Sequence, residues 1–182
     1  MKLNQMNVNG ELQDYLEKVD SLSLPILHND VLASILALKR EPVRSGSYPE
    51  VSLFEASNRI MSDLVILFGV RQLLADLSVG SVALPFTEYE VRLGVEGGND
   101  VTGDSGDRRL AGEAFNVARS FFQGKKSATL KKLKSQAPSD YQLIMFNADA
   151  VPNPDYYIQK SQPSMLYLPI DLSVAIHVPR CV

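Results

Sequence analysis

Apolar residues recur at helical spacing through the first part of the chain, and this pattern predicts three helices. The predicted helices span residues 11–22, 31–40 and about 53–77. Pro25 separates the first helix from the second, for which Asn29 and Asp30 are N-cap candidates. Ser52 and Glu55 form the S-x-x-E pattern of a capping box at the start of the third. Apolar residues cover this third helix so broadly that we expect it to pack on more than one side.

The pattern changes after Gly80, where β-branched and aromatic residues favour strands. The predicted strands span residues 81–93, 110–122 and 141–146, with one or two more within 164–178 and with loops at 95–107 and 147–155. A lysine-rich surface helix is predicted at 125–136, and Pro169 is expected at a break or an edge of the sheet. These elements predict an α/β or α+β fold, in which N-terminal helices precede a mixed β-sheet flanked by helices.

The length and composition of the chain fit one domain outside a membrane. A length of 182 residues suits a single domain, with a helical N-terminal extension at 1–48, a core at 50–148 and C-terminal strands at 149–182. The longest apolar run, residues 64–70, is far shorter than the roughly 20 residues of a membrane span. Cys181 is the only cysteine, and the first residues lack the apolar core of a signal peptide. We therefore expect a cytoplasmic protein.

Positive charge is concentrated in one segment, although the net charge is −3. Six basic residues and no acidic residue lie between Arg119 and Lys134. A local basic patch of this kind can bind a polyanion such as DNA, whereas a solvated helix face explains the same lysines without any partner. The residues predicted to contact DNA are Arg109, Arg119, Lys131, Lys132 and Lys134.

Carboxylates are the main candidates for chemistry, because phosphate-binding glycine loops, zinc motifs and serine-hydrolase elbows are missing from the sequence. His28 and His177 lie far apart in the sequence, and a lone histidine is more often a packed or surface residue than a catalytic one. A magnesium ion prefers oxygen ligands, usually one or two carboxylates together with waters and phosphate. Glu113 is the best candidate ligand, since a strand would hold it rigidly against an acidic loop.

Several other charged residues could complete such a site. Candidate second ligands are Asp100, Asp104 and Asp107 in the loop and Glu88 and Glu90 in the neighbouring strand. Turn chemistry explains the loop aspartates equally well, and the solvent face of a strand explains the two glutamates. A cation from Arg109, Lys125 or Lys126 could stabilise charge that develops on a phosphate.

The order of these elements resembles the core of the PD-(D/E)XK restriction-endonuclease-like superfamily, over roughly residues 50–148. That core has a helix with an early glutamate, a strand, an acidic loop, a strand with a second glutamate, a helix and a further strand. The resemblance places Glu55 at the helical glutamate, Asp100 or Asp107 at the loop aspartate, and Glu113 at the strand glutamate. The lysine that the family carries two residues later falls on Phe115, and the resemblance implies that Lys125 or Lys126 takes its role.

The sequence therefore predicts a magnesium-dependent phosphodiesterase or nuclease that acts on DNA. Its predicted catalytic residues are Glu113, Lys125 and Lys126, and its predicted metal ligands are Glu55, Asp100, Asp107 and Glu113. The alternative is a non-enzymatic module that binds nucleic acid or protein, either as an inactive relative of the nuclease fold or as a subunit of a larger system. A homodimer is also expected if the apolar residues of the third helix and the tail form an interface.

Overall fold

The computed structural model describes residues 1–22, 30–94 and 97–177. The predictions that concern Pro25, His28, Asn29 and Cys181 lie outside these ranges, as does the side chain of His177. The predictions for the other named residues can be compared with the structure directly.

Within the described residues the chain forms five α-helices, of which the first three were predicted at nearly the same positions. They are α1 (Val8–Asp20), α2 (Val31–Arg40), α3 (Leu53–Asp76), α4 (Phe122–Ser135) and α5 (Pro154–Gln159). Asp30 caps α2 by accepting a hydrogen bond of 2.8 Å from the backbone N–H of Ala33. Ser52 caps α3 by accepting one of 3.3 Å from the backbone N–H of Glu55. Both N-caps were predicted from the sequence.

In the part of the chain that the structure describes, eight strands form one large mixed sheet and one small hairpin. They are β1 (Lys2–Asn4), β2 (Ser78–Val79), β3 (Val82–Ala83), β4 (Glu88–Val91), β5 (Val101–Asp104), β6 (Arg109–Phe115), β7 (Tyr141–Asn147) and β8 (Leu166–Ile170). The large sheet has the order β1-β4-β5-β6-β7-β8, and β2 pairs with β3 separately. Neighbours are antiparallel from β1 to β6 and parallel from β6 to β8. The predicted class, a mixed sheet flanked by helices, is confirmed.

Side chains alternate between the two faces of the sheet and build two separate apolar clusters. On β7, Leu143 and Met145 join the cluster that contains α1 and α3, whereas Ile144 and Phe146 join the cluster under α4. This explains why the sequence of β7 is almost continuously apolar, as expected of a strand that is buried on both faces.

Helix α3 packs against the sheet, and most of its apolar side chains lie in the hydrophobic core. Twelve of its 24 residues are buried, including Leu64, Val65 and Leu67. These side chains pack on the sheet and on α1, and the homodimer through the third helix and the tail stays a prediction. Large exposed apolar residues occur on α2, at Val31 and Leu32, and at Phe54 in the first turn of α3.

Four predicted segments differ from the structure. Residues 95–107 were predicted as a loop but contain β5, and the strand predicted for 110–122 ends at Phe115, before a 3₁₀ turn and α4. The loop predicted for 147–155 contains a 3₁₀ turn at Ala148–Ala150 and the start of α5. The strand predicted for 81–93 is divided into β3 and β4. The tail forms β8, in agreement with the predicted one or two strands, and continues into a 3₁₀ segment at Leu172–His177. Strand β1 was not predicted at all.

The position of β8 agrees with the expectation for Pro169. Strand β8 lies at the edge of the sheet, where alternate residues direct their N–H groups away from the neighbouring strand and a proline can be accommodated. Among the helices of the described ranges, none has both the length and the apolar character needed to span a membrane.

Candidate functional site

Asp100 and Glu113 lie opposite each other at the centre of the sheet. Val101 of β5 pairs with Gly112 of β6 in the antiparallel ladder. Asp100, one residue before β5, therefore falls across from Glu113. Its carboxylate accepts a hydrogen bond of 2.7 Å from the backbone N–H of Ala114, which fixes the aspartate against β6. The loop aspartate and the strand glutamate predicted from the sequence are thus brought together by strand register.

Glu113 is buried with one of its two carboxylate oxygens unsatisfied. The side chain is 8% exposed, and Oε2 accepts a hydrogen bond of 2.6 Å from Lys132 Nζ. The other oxygen, Oε1, has no hydrogen-bond partner among the described residues. A buried carboxylate oxygen without a partner is costly. Such an atom is suited to a ligand that brings positive charge or a hydrogen-bond donor.

Burial raises the pKa values of both carboxyl groups. Burial is the main cause of the raised pKa of Glu113, and the charge of Asp100 raises it further, while the hydrogen bond from Lys132 opposes the shift. Burial also raises the pKa of Asp100, against the hydrogen bond from Ala114 and the positive charges of Lys132 and Lys125. The charge of Asp100 thus acts on a Glu113 carboxyl group that is itself buried.

Two lysines of α4 face this carboxylate pair. Lys125 and Lys132 are seven residues apart, which is two helical turns and therefore one face of α4. Both act electrostatically on Asp100 and Glu113. Lys132 was predicted as a DNA contact, yet it is the lysine that touches Glu113. We refer to Asp100, Glu113, Lys125 and Lys132 as the carboxylate site.

The structure places Lys126 on another side of α4, away from the carboxylate site. Its ammonium lies 5.6 Å from the ring centroid of Phe122 and 5.3 Å from that of Tyr157. Phe115, at the position where the resembled family has its lysine, is buried and stacks with Phe146 at a centroid distance of 6.1 Å. The lysine that contacts Glu113 is therefore Lys132 of α4. It is neither Lys126 of the same helix nor a lysine on β6.

Asp100 also lines a cleft of about 310 Å³ between α3 and the sheet, which we call the α3 cleft. Glu55, the predicted helical ligand, lines the same cleft. Its carboxylate accepts a hydrogen bond of 2.6 Å from Arg59, one turn along α3. Arg92 lines the cleft from the side of the sheet. Two of the four predicted metal ligands, Glu55 and Asp100, thus line the same cleft, whereas Glu113 lies across from Asp100 and contacts Lys132 of α4.

Asp63 in the α3 cleft has a structural role that sequence reasoning missed. Its side chain is buried and accepts hydrogen bonds from the Tyr15 hydroxyl at 2.6 Å, from the Tyr48 hydroxyl, and from the Gly94 backbone N–H at 3.1 Å. Burial raises the pKa of Asp63, and the two tyrosine hydrogen bonds oppose that shift. The only sequence signal was its place four residues after Arg59 on the polar stripe of α3.

The remaining acidic candidates lie elsewhere. Asp107 is in the turn between β5 and β6, where it accepts a hydrogen bond of 3.1 Å from the Ser105 hydroxyl. This turn is at the opposite end of the two strands from Asp100 and Glu113. Glu88 on β4 pairs with Lys2 at 3.0 Å, and Glu90 is exposed on the same strand. Asp107, Glu88 and Glu90 are therefore not assembled with the carboxylate site.

All five predicted DNA contacts are exposed to solvent, although Lys132 also contacts Glu113. Arg109 lies at the start of β6, 3.7 Å from a carboxylate oxygen of Asp104 and far from the Glu113 end of the strand. Arg119 lies in the 3₁₀ turn before α4, and Lys131 and Lys134 lie on α4 itself. Their exposure leaves them accessible to a polyanion.

The donor set fits a metal ion that is held by two carboxylates. In the described ranges no group of three or more His, Cys, Asp or Glu side chains is arranged to hold a metal ion by itself. A magnesium ion commonly takes only one or two carboxylates and completes its shell with water and phosphate oxygens. The unpartnered Oε1 of Glu113, beside Asp100, matches that smaller requirement.

Comparison with known proteins gives no family for this chain. No family model matches the sequence, and no curated protein or solved structure is significantly similar to it. Function is therefore inferred from the chemistry of the carboxylate site itself, since a fold alone does not determine function.

Proposed function

We propose that this chain is a magnesium-dependent phosphodiesterase that cleaves DNA. One observation carries the proposal: the buried Glu113 keeps an unpartnered carboxylate oxygen beside Asp100 and within reach of a lysine ammonium. A pair of oxygen ligands next to cationic groups is the arrangement that phosphate chemistry requires. The same arrangement costs stability in a protein without a ligand.

Asp100 and Glu113 are the residues that would hold the metal ion. When bound, magnesium supplies a Lewis acid for a phosphate oxygen and makes a coordinated water easier to deprotonate. The hydrogen bond from Ala114 fixes the orientation of Asp100, and β6 fixes that of Glu113. Glu55 and Arg59, at the α3 cleft, border the space in front of Asp100.

Lys125 and Lys132 would bind the phosphate group. Both project from one face of α4 toward the carboxylates, so their ammonium groups can stabilise negative charge that develops on a transferring phosphate. Lys132 then exchanges its contact with Glu113 for a contact with the substrate. Its side chain is 42% exposed, so the ammonium can make this exchange near solvent.

The order of elements supports a relationship to the PD-(D/E)XK superfamily. Helix α3 carries Glu55, β5 follows Asp100, β6 carries Glu113, and α4 and β7 come next. This is the order on which the resemblance rests. Lys132 of α4 would serve in place of a lysine on β6, since it contacts Glu113 while the side chain of Phe115 is buried in the core.

A second function is favoured by the same ion pair. Lys132 neutralises Glu113, and Phe115 stands where the family has a lysine, as expected of an inactive relative that only binds nucleic acid or protein. In that case the exposed Arg119, Lys131 and Lys134 would contact the polyanion. The cytoplasmic location, the homodimer and membership of a larger system stay predictions.

Plasmid cleavage tests the choice between these functions. We expect the wild-type protein to nick plasmid DNA with magnesium and to stop when EDTA is added. Glu113→Gln should lower the rate by about 100-fold or more, as the loss of an electrostatic catalytic group does. Glu41→Gln makes the same chemical change at an exposed position after α2 and should leave the rate unchanged. Wild-type and Glu113→Gln proteins that are equally inert would overturn the proposal and favour the binding function.

A further inference from the structure

A second polar cavity, of about 330 Å³, lies on the α4 face of the sheet. It is enclosed by residues of α4 and α5, by Lys160 just after α5, and by a residue of β8. We call it the tyrosine–lysine pocket, and its lining residues are Gln123, Lys126, Tyr156, Tyr157, Lys160 and Tyr167. None of them belongs to the carboxylate site or to the predicted DNA contacts.

The tyrosine–lysine pocket has positive charge that no carboxylate of its lining offsets. Its lining contains two lysines and no acidic residue. Among the described residues, neither Lys126 nor Lys160 forms an ion pair with a carboxylate. Aromatic rings hold the ammonium groups instead: Lys126 lies 5.3 Å from the centroid of Tyr157, and Lys160 lies 4.1 Å from that of Tyr156. Two ammonium groups fixed at one cavity favour an anion such as a phosphate.

Aromatic surface is exposed beside these lysines. Tyr156 is 46% exposed at the pocket, and Phe121, two residues before Gln123, is 70% exposed. Gln123 donates a hydrogen bond of 3.5 Å to the Tyr157 hydroxyl and so orients the lining at that side. Exposed aromatic rings next to cationic groups are the arrangement by which proteins bind single-stranded nucleic acid, because an unpaired base can stack on a ring while its phosphate contacts a cation.

The tyrosine–lysine pocket is close to the carboxylate site. Glu113 pairs with Ile144, and Ile144 pairs with Tyr167, so Glu113 and Tyr167 lie in one row across three strands. Two strand spacings separate their backbones, a distance of about 10 Å. At about 3.4 Å per stacked nucleotide of one strand, that distance corresponds to roughly three nucleotides. The first turns of α4 separate the two places, with Lys125 facing one and Lys126 facing the other.

We infer that the tyrosine–lysine pocket binds single-stranded nucleic acid, with a phosphate between Lys126 and Lys160 and a base against Tyr156. The binding itself does not require cleavage. One consequence rests on the proposed function: the bound strand continues past α4 toward Glu113. Specificity for unpaired DNA would then arise from this part of the substrate.

Fluorescence anisotropy in EDTA tests the binding without any cleavage. The probe is a labelled oligo-dT of about twelve nucleotides, within the usual range of single-strand sites, at about 50 mM salt. Lys126→Gln with Lys160→Gln should weaken binding about tenfold, because two phosphate contacts are lost. The control is Lys18→Gln with Lys39→Gln, which removes the same charge from α1 and α2. Lys39 also lies over a ring, 5.2 Å from the centroid of Phe54, and the control should bind within about twofold of wild type.

Tyr156→Leu separates stacking from charge. It should weaken binding of the oligo-dT about tenfold, the usual worth of one stacked base, and should leave a duplex of the same length unaffected. The inference is overturned if wild type does not bind the oligo-dT, or if the pocket variant and the charge-matched control lose affinity equally. It is also overturned if Tyr156→Leu weakens binding of the duplex as much as binding of the single strand. If wild type binds the oligo-dT but never cleaves plasmid, only the proposed phosphodiesterase activity is overturned. If wild type cleaves plasmid but the pocket variants bind the oligo-dT as wild type does, only the inferred binding site is overturned.

Discussion

Glu113 carries a cost that the folded chain does not recover by itself. The carboxylate is buried next to another carboxylate, and one oxygen has no hydrogen-bond partner among the described residues. Lys132 offsets part of this cost through a single hydrogen bond of 2.6 Å. Buried titratable groups with a shifted pKa, which are unfavourable for stability, are typical of functional sites. The pH dependence of stability therefore gives a test that needs no substrate.

We expect Glu113→Gln to be more stable than wild type at pH 7, by about 1 kcal/mol, the lower range for an unsatisfied buried polar group. Because the folded-state pKa of Glu113 is raised, the folded chain keeps its proton to a higher pH than the unfolded chain does. Wild type therefore loses stability as the pH rises from the pKa of Glu113 in the unfolded chain through its pKa in the folded chain. The stability advantage of Glu113→Gln over wild type should shrink toward pH 4. Urea unfolding at both pH values measures this. A variant less stable than wild type at pH 7 would mean that the ion pair outweighs the burial.

At the scale of elements, Gly69 shows how closely α3 approaches the sheet. A Cβ placed there would overlap the sulfur of Met145, a fully buried residue of β7. Glycine in a helix costs stability relative to alanine, so the sequence marks it only as a weak point. The structure gives the compensating reason, which is the close contact between α3 and β7.

The same glycine-to-alanine change should therefore have opposite effects in two helices. Gly10→Ala in α1, where no atom lies within 4 Å of the new Cβ, should stabilise the protein by about 0.4–1 kcal/mol. Gly69→Ala should destabilise it by about 1 kcal/mol or more, because overpacking exceeds the gain in helix propensity. Thermal unfolding of both variants compares the effects directly. Equal stabilisation by both would show that Met145 moves aside at little cost.

Local patterns predicted the helices better than the strands. The caps at Asp30 and Ser52 and the apolar repeat of α3 are properties of neighbouring residues, which the sequence displays directly. Strand β5 is only four residues long and contains a glycine and an aspartate, so its composition is that of a loop. It becomes a strand because β4 and β6 pair with it on both sides.

The carboxylate site was predictable in its residue types but not in its geometry. Glu113 was chosen because it lies among small residues of a central strand, and β6 does lie inside the sheet. The opposition of Asp100 and Glu113 depends on the register of β5 and β6, which no local pattern fixes. The choice of Lys132 over Lys126 depends on which face of α4 packs on the sheet, and Phe122, Thr129 and Leu133 determine that face.

At the scale of the whole molecule, positive charge is concentrated at one place although the net charge is slightly negative. The chain has a net charge of −3, so it has no general attraction for polyanions. The lysines of α4 instead offer a local positive surface around the carboxylate site. DNA binding should therefore depend on a few defined contacts.

The salt dependence of duplex DNA binding should reveal these contacts. Each phosphate contact contributes about −0.9 to the slope of log K against log salt, so Lys125→Gln with Lys132→Gln should make the slope shallower by about 2. Lys18→Gln with Lys39→Gln again serves as the charge-matched control and should keep the wild-type slope. Titration in EDTA at several salt concentrations gives the slopes. Parallel lines for wild type and the α4 variant would place the DNA elsewhere.

The pairing of β1 with β4 sets an order of events during synthesis. Lys2 lies opposite Glu90 in the sheet, and Leu3, opposite Tyr89, is fully buried. At about 5–20 residues per second, a ribosome needs roughly 4–18 s to make the partner strand after β1. Helix α1 can dock on α3 before that time, but β1 must wait for β4. Strand β1 thus stays without its sheet partner until residues 88–91 have been synthesised.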